Sequence, residues 1–502
     1  MASTKYNDGI LKAQATPFPG GAPPRFDMER MRTRSLVGKL VQRFLENPRW
    51  ALALLRRFKP VAKVGPFVVV TKAVDVREVL ERQEVFETPF GREMAETTEH
   101  DAVLLGLQDG ALYRRQKSAV LSAFPPEEAE SRVRAIAADH SRRIMATAQP
   151  GFDAVRDLLR IVPAKICREY YGLEIDDENA FTEWSIALSA LYFGDYFGDP
   201  AVRDLAIAAA AHMRETIDKS IDLEIARIEA GLEPGATALA RLVKRHHDLP
   251  KELSRLDVRG LMFGMVSGFV PTDILASGNA LDVILSKPEA QAAVERAVAD
   301  KDDKALDRAI MEAMRFKPIN IGPVRYVNAD TIIGEPSGHP YRVKAGTTLW
   351  VSTLAAMFDD AEVKDPESYN PDRPARDYAM VFGHGIHWCI GSAIARVQIA
   401  ECFKALFARR KVARMQGAAG KLRRLGPFPE GLAITFDRTH KEMFEKHALE
   451  TIICQLKPGT DLRALRDGIG GARQSGATGD RQRVSRSWRR HPFLFGGGRL
   501  PR

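Results

Sequence analysis

Residues Phe382 to Gly391 read FGHGIHWCIG and lead directly into a stretch with helical periodicity, Ser392–Arg410. No other segment restricts the outcome so strongly. Glycines at 383 and 385 permit tight, positive-φ turns that other residues resist. Cys389 then falls just before a helix, where the dipole and free amides favour a negatively charged sulfur. Two plain readings stand beside that one. Cys389 could be an ordinary buried thiol. His384, His387 and Cys389 could hold zinc, but a fourth ligand is missing, because Cys402 falls well along the following helix.

The chain has 502 residues, long enough for a large core or for several domains. Its net charge of +9 is uneven. Residues 471–502 hold eight arginines against one aspartate, so the main body carries only about +2. That balance speaks against nucleic acid as a partner of the main body. Cys167, Cys389, Cys402 and Cys454 form no close pair, so a disulfide framework is not expected and a reducing compartment is favoured. The start, MASTKYNDGI, has no apolar stretch fit for a signal peptide. The apolar run at Trp50–Leu55 is too short to span a bilayer. The expectation is a cytoplasmic protein without a transmembrane segment.

Periodicity predicts many helices and a few short strands, an α+β chain dominated by helix. Residues 1–25, rich in Gly and Pro, read as a flexible extension. Helix is expected from Met28 to about Phe58, then a strand at Phe67–Thr71. A long, very apolar helix is expected at Leu256–Ser286, with shorter ones at Pro288–Ala299 and Lys304–Arg315. Strands follow at Thr331–Gly334 and Arg342–Val351, the second broken by a turn at Lys344–Gly346. A last strand is expected at Leu432–Phe436. Beyond Arg438 one strand (Thr451–Leu456) and one helix (Asp461–Gly468) precede an Arg- and Gly-rich end. Residues 439–502 thus read as an atypical tail, partly disordered or the start of an incomplete second domain.

Two further patterns join the cysteine loop. Glu312 and Arg315 form an ExxR pair on one helix face. Arg373, in PESYNPDR, lies between that pair and the loop. Six positions of the loop (Phe382, Gly383, Gly385, His387, Cys389 and Gly391) together with these charges resemble the cytochromes P-450, over roughly residues 26–438. A chance match to the loop would arise in roughly one window per hundred million at average residue usage. The resemblance implies the corresponding fold with a long distal helix, heme b as cofactor, and Cys389 as the axial iron ligand. It implies that His387 and Arg325, in GPVRY, bind the heme propionates, with Phe382 and Gly391 against the porphyrin. It also implies that Glu312, Arg315 and Arg373 form a buried network supporting the loop. Where the family commonly has His and Arg four apart, this chain has Tyr113 and Lys117; both can still donate to a carboxylate.

The long helix departs from the family. Monooxygenases of this kind usually carry Ala/Gly-Gly-x-acid-Thr there. This chain reads Ser267-Gly268-Phe269-Val270-Pro271-Thr272-Asp273. With Gly268 matched to the second glycine, Val270 and Pro271 take the acid and alcohol places. Thr272 and Asp273 follow in the wrong order, turned away by about 100° per residue, and Pro271 is expected to kink or open the helix. Gly268, Thr272 and Asp273 are the candidate catalytic residues. The apolar residues Met262, Phe263, Met265, Val266, Phe269, Tyr192, Phe193, Ile319, Ile321 and Phe428 suggest a hydrophobic small-molecule substrate. The expected activity is monooxygenation with O₂ and electrons from a ferredoxin-type carrier, docking near Lys404, Arg409, Arg410 and Lys411. The alternatives are a hydroperoxide-using isomerase, lyase or peroxygenase, and a non-catalytic heme-binding protein.

Overall fold

The computed structural model describes residues 26–28, 48–195 and 198–437. The expectations for residues 1–25, for most of the first helix and for everything from Arg438 onward fall outside them, as does Cys454. The described chain is mainly helical, with a five-stranded mixed sheet, one three-stranded sheet and two hairpins. The larger sheet runs in the order Val61–Val64, Phe67–Val70, Thr348–Val351, Val324–Val327, Phe86–Glu87. Phe67–Val70 pairs parallel with Thr348–Val351, and the other neighbours are antiparallel. Arg325 lies opposite Leu349 in this ladder, which places it at a fixed height on the sheet.

The centre of the helical layer is the 30-residue helix Arg255–Ile284. Ser254 and Asp257 close its start with a reciprocal capping box. Pro271 lies inside it without ending it. It is the one helix among the described residues long and apolar enough to cross a membrane, but 83% of that apolar window is buried within the fold, as in a core helix. The helices Pro288–Ala299 and Asp303–Phe316 follow it. Pro288 opens the first and the Asp302 side chain caps the second, each a favoured start.

The apolar face of helix Ser392–Phe407 packs against helix Arg134–Thr147 and the central helix. Cys402 is fully buried there, with Ser141 Oγ at 3.5 Å and Gln398 Nε2 at 3.3 Å from its sulfur. Burial pushes its thiol well up. The hairpin Arg423–Leu425/Phe428–Gly431 and the strand Val61–Val64 were not expected from the sequence. Both are short, and their burial comes from neighbours distant in the chain.

Candidate active site

The cysteine loop links two short turns, Ala379–Phe382 and Gly385–His387, to helix Ser392–Phe407. Gly383 and Gly385 take φ of 84° and 73°, the left-handed region expected for them. At Gly385 a Cβ would also stand 2.7 Å from the Leu80 carbonyl oxygen, so the loop passes too close to its neighbour for a side chain. The Cys389 amide donates to the Phe382 carbonyl at 2.9 Å, closing the loop on itself. Burial pushes the Cys389 thiol up to about 11, opposed by a hydrogen bond from the Gly391 amide. Cys389 is partly exposed whereas Cys402 is fully enclosed. His384 pairs with Glu81 at 2.6 Å rather than converging with His387 on the sulfur, which removes the zinc reading. Phe382 and Trp388 lean together, ring centres 6.1 Å apart.

The three charges expected to form a network do so. Arg315 donates to both oxygens of Glu312 at 2.8 Å, and Arg373 Nε donates to Glu312 Oε1 at 3.0 Å. All three are buried. The second positive charge is met by backbone carbonyls: Arg315 reaches Met357 and Pro366, and Arg373 reaches Lys364, Asp365 and Ser368. The segment leading toward the loop is thereby pinned to helix Asp303–Phe316.

Two buried donors near the loop have no partner among the described residues. Arg325 is 2% exposed; one nitrogen donates to the Val324 carbonyl and Nε faces none. Burial brings its guanidinium down to about 10. His387 Nε2 is likewise unpaired, and burial, with Arg325 and Lys117 nearby, lowers its ring to about 4, leaving it neutral. Unpaired buried donors are costly, so they mark where acceptors from outside the chain belong. A cofactor carrying carboxylates fits this donor set. Tyr113 and Lys117, also expected to face carboxylates, both donate to the Ile386 carbonyl, at 2.6 and 2.9 Å. Sequence reasoning had no signal for that contact, since a backbone carbonyl is the same in every residue.

The central helix supplies an open face. Between Leu261 and Leu281 its only positions that are not buried are Gly264, Gly268 and Thr272. Their spacing of four puts them on one line. A side chain at Gly268 would meet open space, whereas at Gly264 it would strike Val103 at 2.6 Å. The loop after helix Gly91–Thr98 therefore covers the Gly264 end of the line. Thr272 thus belongs to the open face, and its expected rotation away is corrected. Its hydroxyl donates back to the Gly268 carbonyl. The two residues before this hydroxyl are Val270 and Pro271, so no acid precedes it on the same turn.

Asp273 is turned away from this face, as expected, which leaves its place among the candidate catalytic residues without support. It is 2% exposed and points into the helix bundle, within electrostatic reach of Cys167, Tyr171 and Cys402. Neither carboxylate oxygen has a hydrogen-bond partner among the described residues, and burial pushes its carboxyl well up. Most of the apolar residues expected to line a pocket are core. Met262, Phe263 and Val266 are at most 1% exposed, and Phe269 stacks on Tyr171 at 5.5 Å. Phe193 and Ile319 keep partial exposure. Lys404 and Arg409 are engaged within the fold, with Glu401 and Asp303 and with the Met145 carbonyl.

The cytochrome P450 family profile matches residues 61–417. Mycinamicin IV hydroxylase/epoxidase of Micromonospora griseorubida is 26% identical over 367 residues, covering 71% of this chain and 86% of that protein. A bifunctional dioxygenase–epoxy alcohol synthase of Pyricularia oryzae is 32% identical over 171 residues, 33% of this chain but only 15% of that protein. Among solved structures, CalO2 matches with a TM-score of 0.67 at 20% identity, covering 82% of this chain and 99% of that one. With the loop, the network and the orphaned donors in place, the chain belongs to the cytochrome P450 family and is a heme b-dependent monooxygenase.

Proposed function

We propose that Cys389 is the axial ligand, that Arg325 and His387 receive the propionates, and that residues 26–438 form the heme domain. The observation that carries this is the conjunction at one loop: a sulfur facing the Gly391 amide, beside two buried donors without partners. Cys402, with Ser141 and Gln398 at its sulfur inside a helix bundle, offers no comparable access. When bound, the heme supplies the oxidising chemistry. The chain's own part is to hold the sulfur, exclude water with the apolar core, and present one hydroxyl.

Thr272 is the residue placed to handle protons. Its hydroxyl lies on the open line beside Gly268, and the carbonyl it bonds leaves its lone pairs free to accept. With no acid at Val270 or Pro271, the two residues before Thr272, the proton behind Thr272 comes from solvent in the open face rather than from a carboxylate on the same turn. Asp273 takes no part, because it faces the bundle.

The substrate is proposed to be a bulky hydrophobic molecule. The relative from Micromonospora is a mycinamicin hydroxylase/epoxidase, and Phe90 and Phe193, packed edge to face at 5.5 Å, present partly exposed apolar surface here. Electrons are proposed to come from a small acidic carrier in the cytoplasm. With Lys404 and Arg409 engaged, Arg410 remains exposed, and Arg115 adds exposed charge on helix Ala111–Ala123, beside the loop, where Arg114 pairs with Asp109 at 2.8 Å.

The test is product formation by the heme-loaded protein with a macrolide or steroid panel. One arm has a ferredoxin, its reductase and O₂; the other is anaerobic with a fatty-acid hydroperoxide. Turnover only in the reducing arm supports the monooxygenase reading of Thr272. Conversion only in the hydroperoxide arm overturns it and makes Pro271 the mark of a chain that uses a preformed O–O bond.

A further inference from the structure

Helix Ala111–Ala123 carries Tyr113 and Lys117 one turn apart on the face toward the cysteine loop. Tyr113 Oη donates to the Ile386 carbonyl oxygen at 2.6 Å, and Lys117 Nζ donates to the same oxygen at 2.9 Å. Lys117 also donates to Tyr113 Oη at 3.2 Å and lies 5.4 Å from the centre of the tyrosine ring. The ring of Tyr113 meets His387 edge on, centres 5.3 Å apart. Both lone pairs of one carbonyl are therefore used, one by a full positive charge. Among the described residues no carboxylate lies within ion-pair range of Lys117.

The carbonyl so held is a working part of the loop. Ile386 sits in the turn Gly385–His387, which is closed by the Trp388 amide on the Gly385 carbonyl at 3.1 Å. The next amide, that of Cys389, closes on Phe382. Fixing Ile386 fixes the direction in which the chain reaches the sulfur. A cation on that peptide also adds positive potential beside it, and nearby hydrogen bonds and charges are established means of tuning a thiolate-bound metal.

We propose that Tyr113 and Lys117 are positioning residues that clamp the cysteine loop through the Ile386 carbonyl and set the reduction potential at the Cys389 site. This rests on Cys389 being the ligand. Neither residue touches the reacting atoms; both act through the backbone of the loop.

The experiment uses the heme-loaded full chain and the variants Lys117→Met, Lys117→Arg and Tyr113→Phe. It reads the ferric/ferrous midpoint potential, the iron–sulfur stretching frequency and the rate of heme loss to an acceptor protein. Lys117→Met is expected to shift the potential to more negative values and change the iron–sulfur stretch, with heme loss unchanged. Lys117→Arg restores the parent potential, and Tyr113→Phe gives a smaller shift of the same sign. The proposal is overturned if Lys117→Met loses heme faster at an unchanged potential, which would make Lys117 an anchor for a propionate. It is also overturned if none of the three readouts moves. A parent protein whose reduced carbon monoxide spectrum lacks the thiolate band would sink the Cys389 assignment itself, which separates that failure from failure of the clamp.

Discussion

The cysteine loop and the central helix are built in opposite ways. Around the loop, strong polar groups are committed: Glu312 to two arginines, Cys389 N–H to Phe382, Tyr113 and Lys117 to Ile386. On the central helix the open line offers two glycines and one hydroxyl, and the nearest acid is turned into the core. One side is over-determined and the other nearly bare. On the proposed assignment the loop carries a thiolate ligand, which tolerates little movement, so its frame needs many simultaneous constraints. The open line would then be a substrate face, which must admit a molecule of its own shape and gains from having few.

The largest effect should come from the sulfur itself. Cys389→Ala is expected to abolish the thiolate-type reduced carbon monoxide band, while Cys402→Ala keeps the band and only lowers stability. The reverse result would move the ligand from the loop to the helix bundle and break the comparison. Next in size is the frame. Glu312→Ala leaves two arginines buried without their carboxylate, a loss of about 3–5 kcal/mol in such settings. Chemical denaturation monitored with heme absorbance would measure it. A loss below about 1 kcal/mol would mean that the backbone carbonyls alone hold Arg315 and Arg373.

On the bare side, Thr272→Val removes the one hydroxyl of the open line. Coupled product formation should fall on the order of 10²-fold, the usual worth of a positioned proton-transfer group, while substrate binding titrated optically stays the same. Equal coupling in parent and variant would leave proton delivery to solvent alone.

The smallest effect concerns Asp273 and has a definite sign. In the unfolded chain its carboxyl ionises in the ordinary range near about 4; burial raises it in the fold, with Cys167, Tyr171 and Cys402 nearby and no cation among them. The folded state therefore holds this proton more tightly. Stability from this group is full below the unfolded value and is lost as pH rises toward the folded one. Asp273→Asn should thus gain on the parent progressively as pH rises above about 4, read from urea midpoints. A constant difference across that range would mean that Asp273 is ionised in the fold.

Much of the frame was legible. The helix Pro288–Ala299 falls as expected because proline starts it, and the central helix is displaced by only one or two residues at its ends. The triad was readable because ExxR, a later arginine and a cysteine loop occur in order. The face of Thr272 was misjudged because it depends on the register of a helix that is apolar nearly all round, where periodicity carries no phase. The pocket-lining residues failed for the same reason: Met262 and Phe269 are apolar whether they face a cavity or a neighbour.

By itself, then, the sequence determined the class of the fold, the turns of the cysteine loop and the partners of Glu312. These rest on local rules: glycine's access to positive φ, caps at helix starts, and residue types that have one chemical use. Only the tertiary structure decided which line of the central helix stays open, that Asp273 is enclosed, and that Tyr113 and Lys117 hold Ile386. Each of those depends on which surfaces come together across more than a hundred residues, and burial is a property of the assembled chain rather than of any segment of it.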